Sequence, residues 1–244
     1  MNSTRKTAVV AGIFFLITEV TAILGMLLYR NSVLSTPQFI VSSSMDDTGV
    51  LLGAFLEVLL AIAVVGTGVT LYPIIKKQNE GMALGHVAGR VIEATIITVG
   101  AISLLAVVTM RQGLAGTTGP EAVAAATVGQ SLVAVHDWTF LFGPKFALGA
   151  NTLLLAYLMY RSRLVPRFIA VLGLIGAPLV FVSATAVLFG VYEDLSTIGV
   201  LAAAPILAWE VSLALWMIMK GFRPSPVLTG VTQAVARDVA PAAA

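Results

Sequence analysis

Six long apolar runs, separated by polar connections, most constrain how this chain of 244 residues can fold. At 1.5 Å of rise per residue, about 20 helical residues cross the roughly 30 Å hydrocarbon layer of a bilayer. Only 11% of the residues are charged, whereas about a quarter of a soluble domain is charged. The chain is therefore predicted to be an all-α polytopic integral membrane protein, a six-transmembrane-helix bundle. Its predicted spans are approximately 7–29, 49–75, 82–110, 130–160, 167–191 and 198–220.

Basic residues concentrate in the connections on one side of the predicted bundle, whereas the other side is acidic or neutral apart from Arg30 and Arg111. Positively charged connections usually face the cytoplasm, so both termini are predicted to be cytoplasmic. The first run has no clear cleavage site after it and is predicted to be an uncleaved span. The basic set comprises Arg5, Lys6, Lys76, Lys77, Arg161, Arg163, Arg167, Lys220 and Arg223.

Composition also narrows the domain organisation and the chemistry. Residues 1–223 are predicted to form one membrane domain, and residues 224–244 a flexible tail. The chain has no cysteine, which excludes disulfides, thiolate metal sites and cysteine nucleophiles. No phosphate-binding loop, nucleophile elbow or zinc motif occurs, so catalytic residues stay unknown and no cofactor is expected. The basic residues are explained by membrane orientation, and no nucleic acid partner is expected.

Ionisable side chains inside the predicted spans are the main functional signal, because a charge at the bilayer centre costs about 2.5–3.5 kcal/mol on insertion scales. If they share one interior, four glutamates face one arginine and one lysine. Protonation of some carboxylates, or a bound cation, histidinium or amine, would balance that surplus. These six residues are Glu19, Glu57, Glu93, Glu210, Arg90 and Lys145.

The stretch "GHVAGRVIEA" places His86, Arg90 and Glu93 on one face of the third span, at spacings of four and three residues. One interpretation is a ligand-binding or proton-relay face. The other is a structural Arg–Glu network that holds spans together, with His86 at the cytoplasmic interface. The sequence leaves both interpretations open.

The fourth span carries a second group of candidates. His136 and Asp137 are expected near its outer end, where water reaches, so that His86 and His136 are too far apart to share a metal ion. Pro144 is expected to kink the helix beside Lys145, with or without a transport role. The predicted partner of Lys145 is Glu57 or Glu210, and Trp209 is expected beside Glu210 in the same interior. The ligand-binding or proton-coupled candidates are Glu19, Glu57, His86, Arg90, Glu93, His136, Asp137, Lys145, Trp209 and Glu210.

Gly81, Gly85 and Gly89 form a stripe of small residues on the third span. Such a stripe lets two helices approach closely. Packing within one monomer is favoured over an oligomer interface.

Three sequence segments carry a resemblance to a known family: "GRVIEA" (Gly89–Ala94), "LMYRSRLVPRFIAVLGLIGAPL" (Leu158–Leu179) and "PILAWEVSLALWMIMKGF" (Pro205–Phe222). With these, the chain resembles the domain of unknown function 4386 (DUF4386) family of bacterial multi-pass membrane proteins. The resemblance implies a six-helix integral membrane fold, and with it a location in a bacterial inner (cell) membrane. It supplies no activity and no catalytic residue.

Three functional hypotheses remain. The first is a binding or transport protein for a small molecule, an ion or a lipid, in which Glu93 and Glu210 titrate or bind a cation or amine. The second is an intramembrane lipid-modifying enzyme, with Glu93 as base and Arg90 holding a headgroup. The third is a structural or regulatory subunit. They predict, in order, a water-accessible path, an opening towards membrane lipid, and a dry, fully paired cluster.

Overall fold

The computed structural model describes residues 3–30, 39–41 and 47–228, and this part of the chain is all-α. Six helical units are long and apolar enough to cross a membrane, judged by length and composition. The fourth unit, Pro120–Ser162, consists of two α-helices joined by a π-helical turn, Phe142–Ala147. The α-helices are α1 (Ser3–Tyr29), α2 (Thr48–Ile75), α3 (Glu80–Leu114), α4 (Pro120–Leu141), α5 (Leu148–Ser162), α6 (Arg167–Leu188) and α7 (Thr197–Met219).

The six-span prediction is confirmed, and the helix ends agree with the predicted ones within a few residues, except at the fourth span. That unit was predicted to begin near residue 130, but α4 begins at Pro120. Proline suits the first helical position because the missing N–H has no helical partner there. Gly119, with φ 73°, allows the chain to turn into the helix at no steric cost.

The spans form a closed ring. α1 packs against both α2 and α7, α2 against α3, α3 against α4 and α5, α5 against α6, and α6 against α7. Two glycines mark close helix contacts, since a Cβ added to Gly12 would lie 2.8 Å from the Ala214 carbonyl oxygen, and one added to Gly176 only 2.6 Å from the Ile206 nitrogen. A ring of this kind can surround a central space.

The two ends of the bundle differ in charge. The basic end, where α1 begins and α7 ends, is also where Arg5 donates hydrogen bonds of 3.0, 2.7 and 3.0 Å to the carbonyl oxygens of Met217, Ile218 and Met219. These bonds satisfy the last carbonyl groups of α7, and they place a positive charge at the negative end of the helix dipole, where it is stabilising. The acidic end carries Asp47, Glu121, Glu193 and Asp194. Which end faces the cytoplasm stays a prediction.

The chain beyond α7 packs onto the connection between α5 and α6. The Arg223 N–H donates to the Leu164 carbonyl oxygen at 2.8 Å, and the Ser225 hydroxyl donates to the Ser162 carbonyl oxygen. The start of the predicted tail is thus held by hydrogen bonds. Residues 229–244 lie outside the described part, and the flexible tail stays a prediction.

Candidate functional site

A cavity of about 260 Å³ lies at the centre of the ring, and every span contributes to its lining. At roughly 30 Å³ of liquid volume per water molecule, it has room for about nine waters. Seven of the ten candidate residues line it, and most of the other lining side chains are apolar. The seven are Glu19, Glu57, Arg90, Glu93, His136, Lys145 and Glu210.

Arg90 lies at the centre of the charged part of this cavity and is only 1% exposed. Its Nη1 lies 3.2 Å from Glu93 Oε2, and its Nη2 lies 3.1 Å from Glu210 Oε1. The three-residue spacing on α3 brings Arg90 and Glu93 to one face, whereas Glu210 reaches Arg90 from α7. The guanidinium carbon of Arg90 lies 5.4 Å from the centroid of the Phe15 ring. The arginine therefore joins two spans through two carboxylates.

Glu93 has a second partner on α5. The Asn151 amide Nδ2 donates to Glu93 Oε2 at 2.7 Å, and His86 Nδ1 lies 3.2 Å from the Asn151 carbonyl oxygen. Gly89 makes room for this contact, because a Cβ there would lie 2.8 Å from Asn151 Cβ. His86, expected at the cytoplasmic interface, has 0% exposure and lies outside the cavity lining. Gly85 also faces α5, at Leu154, while the oligomeric state stays a prediction.

Sequence reasoning missed Asn151. It ranked residues by charge, and asparagine carries none. The available signal was an amide within the apolar run "ALGANTLLL", because a polar group placed inside a span needs a hydrogen-bond partner.

Glu19 adds a third carboxylate. Its side chain is half-buried on α1, and its carboxyl group lies close to that of Glu210. Three carboxylates, those of Glu19, Glu93 and Glu210, therefore lie near the single guanidinium of Arg90, which pairs with the last two. This arrangement has two more formal negative charges than positive ones. Burial makes such a surplus costly unless a proton or a cation is bound there.

A second pair lies closer to the acidic end. His136 Nε2 is 2.9 Å from Glu57 Oε1, and the His136 ring meets the Tyr29 ring edge to face at a centroid distance of 4.8 Å. His136 is buried, contrary to the expectation that water reaches it, whereas the Asp137 side chain is 61% exposed. The pair joins α2 to α4 beside the cavity.

Lys145 pairs with Asp194 from the connection between α6 and α7. The predicted pairing with Glu57 or Glu210 is wrong, because this connection folds inward and brings the carboxylate of Asp194 to Lys145. The connection is also anchored at Tyr192, whose hydroxyl lies 2.8 Å from the Ser183 hydroxyl on α6. Helical periodicity cannot place such a residue, since it lies outside the helices.

The π-helical turn sets the position of Lys145. Pro144 lies within the turn and lacks a backbone N–H, so a regular helical hydrogen bond cannot form at this point. The expected distortion beside Lys145 is present, as a widened turn within a continuous helical unit. π-Helical turns of this kind occur frequently at functional sites.

A second cavity of about 540 Å³ adjoins the first towards the acidic end. The two share four lining residues, Met26, Tyr29, His136 and Phe140, which we call the neck. Lys145 lines the first cavity and Asp194 lines the second, so their ion pair crosses this junction. The central cavity is thus adjacent to an entrance at the acidic end.

The ring is filled towards the basic end. Phe15, Leu155, Trp209 and Leu213 belong to one apolar core there, each with 0% exposure. Trp209 was expected to line the same interior as Glu210 but packs into this core, where a Cβ on Gly173 would lie 2.7 Å from its ring. The cavity is therefore adjacent to an opening at one end and blocked at the other.

The wall of the central cavity between α1 and α7 is partly exposed to the outside of the bundle. Ile23 and Leu207, one on each helix, line the central cavity and are 44% and 42% exposed. The close contact between these helices, at Gly12 and Ala214, lies nearer the basic end. Side chains in the cavity wall between these helices therefore also face the outside of the bundle.

In the described residues, no group of three or more histidines, aspartates and glutamates is placed to hold a metal ion. A family model described as "Domain of unknown function (DUF4386)" matches residues 10–221. The comparison with curated proteins gave no match, and neither did the comparison with solved structures.

Proposed function

The chain belongs to the DUF4386 family, and we propose that this member binds a small amphipathic organic cation in its central cavity as a step in carrying it across the membrane. The observation that carries the proposal is the ratio of three carboxylates, those of Glu19, Glu93 and Glu210, to one guanidinium in the part of the cavity wall around Arg90. An ammonium group supplies the missing positive charge. Its N–H groups suit carboxylate acceptors.

The ion pairs that Arg90 already forms favour a cationic ligand over an anionic one. Both of its terminal nitrogens already meet carboxylates, those of Glu93 and Glu210. A lipid phosphate approaching Arg90 would meet these carboxylates, and like charges repel. This observation weighs against the enzyme hypothesis, in which Arg90 holds an anionic headgroup.

The remaining lining favours an organic cation over a bare metal ion. Hard divalent cations require six or more oxygen ligands, as Ca²⁺ does. Two of the three carboxylates, those of Glu93 and Glu210, already form ion pairs with Arg90. Apolar side chains, Ile23, Met26, Leu60 and Leu207 among them, form much of the wall. They fit the hydrocarbon part of an amine.

The asymmetry of the bundle supports transport. A carrier exposes its site alternately to the two sides of the membrane. Here the neck leads towards the acidic end, while apolar packing at Phe15 and Trp209 blocks the basic end. This is the arrangement expected for one of the two states. A dry, fully paired cluster, which the structural-subunit hypothesis requires, would not adjoin a cavity of about 260 Å³.

The test uses the protein in nanodiscs of zwitterionic lipid, titrated with benzylammonium and with the neutral analogue benzyl alcohol. We expect saturable binding of the ammonium alone. Glu19→Gln should weaken it by about tenfold or more, equal to roughly 1.4 kcal/mol. Glu121→Gln serves as the control, because Glu121 is exposed at the acidic end and does not line the cavity.

Equal binding of the two compounds, or unchanged affinity in Glu19→Gln, would contradict the proposed cation site. Transport is measured separately, as uptake of labelled benzylammonium into proteoliposomes. Binding without uptake would retain the site and refute the carrier role.

A further inference from the structure

Three arginines converge on another cavity at the basic end, away from the central one. This cavity has a volume of about 550 Å³ and is lined by Arg163, Val165, Arg167, Arg223 and Pro224. The arginines come from the α5–α6 connection, the start of α6 and the segment after α7. Three separate parts of the chain thus bring positive charge to one place.

The backbone under these arginines is fixed. Arg163 has φ 56°, a left-handed conformation that is uncommon for residues other than glycine. Leu164 and Val165 are 1% and 0% exposed, and the Leu164 carbonyl oxygen accepts the Arg223 N–H at 2.8 Å. The connection and the segment after α7 are therefore held together, while the guanidinium groups project from an ordered frame.

These arginines have no acidic partner in the part of the chain that the structure describes. Within the described residues, no carboxylate lies within 4.0 Å of Arg163, Arg167 or Arg223, although Arg90 and Arg111 both form ion pairs. The Arg167 guanidinium lies 5.3 Å from the Tyr160 ring centroid, which leaves its N–H groups available. Membrane orientation accounts for basic residues at this end but does not require three of them to line one cavity.

We infer that this cavity binds the phosphate of an anionic phospholipid headgroup. A guanidinium offers two parallel N–H donors that match two phosphate oxygens. The cavity lies where three spanning units end, at the level at which headgroups are found. Basic pockets between transmembrane helices bind anionic headgroups in this way. The inference is independent of the central cavity and of any cation that binds there.

The experiment is native mass spectrometry of the purified protein with equimolar phosphatidylglycerol and phosphatidylcholine. We expect selective retention of phosphatidylglycerol, weakened on the order of fivefold by each of Arg163→Gln, Arg167→Gln and Arg223→Gln. The matched control is Arg161→Gln, because Arg161 is exposed on the same side but does not line the cavity. Melting temperatures of all variants are measured in parallel, and the triple lysine variant keeps the charge in case a glutamine variant fails to fold.

Three further results decide the inference. Glycerol phosphate, added as a soluble competitor, should not displace the lipid; complete displacement would assign the site to a soluble phosphate and overturn the lipid source. Equal losses in Arg161→Gln and the three cavity variants would reduce the effect to general surface charge. Full retention of the lipid by the triple lysine variant would refute the role assigned to paired guanidinium donors.

Discussion

Replacing Arg90 by glutamine tests the centre of the site most directly. The change removes the positive charge between Glu93 Oε2 and Glu210 Oε1, which lie 3.2 and 3.1 Å from its nitrogens. Glutamine retains hydrogen-bonding capacity but is shorter and neutral. Three carboxylates then remain at the cavity wall without a counter-charge.

The expected cost follows from these distances. At an effective dielectric constant of about 20, two unit charges 3.1 Å apart attract by roughly 5 kcal/mol. The dehydration of both groups offsets much of this attraction, and removing one partner of a buried pair typically costs about 3–5 kcal/mol. We therefore expect Arg90→Gln to lower the free energy of unfolding by about 3–5 kcal/mol.

The assay is reversible unfolding in mixed micelles, followed by tryptophan fluorescence, because Trp209 is fully buried next to Glu210. The double variant Arg90→Gln/Glu210→Gln should recover about 1–2 kcal/mol, within the usual range of coupling energies between contacting residues. Arg161→Gln, at an exposed position, should stay within about 0.5 kcal/mol of the parent. A loss below about 1 kcal/mol in Arg90→Gln, or no recovery in the double variant, would refute the assignment of Arg90 as the counter-charge.

Two further predictions concern neighbouring features. Gly89→Ala should destabilise the protein by about 1–3 kcal/mol, because the new Cβ would lie 2.8 Å from Asn151 Cβ. Gly113→Ala should instead stabilise the protein by up to about 1 kcal/mol, since a Cβ there meets nothing within 4 Å. Equal melting temperatures for the two variants would contradict the close contact at Gly89. Lys145→Met should speed hydrogen exchange in the α6–α7 connection by freeing Asp194, and Asp194→Asn alone should do the same. Unchanged exchange in both variants would show that the ion pair does not hold the connection.

The sequence was informative wherever an argument depended on local spacing or on the bilayer. The six spans follow from the lengths of apolar runs, and the shared face of Arg90 and Glu93 follows from a spacing of three residues within one helix. The closed ring depends on tertiary packing, so the meeting of Arg90 with Glu210 was beyond local periodicity. Lys145 shows the limit most clearly, because its partner Asp194 comes from a connection whose path no helical pattern specifies.

The closed ring has a consequence for the order of assembly. The chain is synthesised from its N-terminus, so α1 enters the membrane before α7 and completes its contacts only when α7 arrives with the carbonyl oxygens that Arg5 binds. Glu210 arrives with the same helix. Glu93 lies within one turn of Arg90, so their pairing needs no other helix. α3 thus carries its own counter-charge into the bilayer, and α7 later brings Glu210 to an arginine that already has a carboxylate partner.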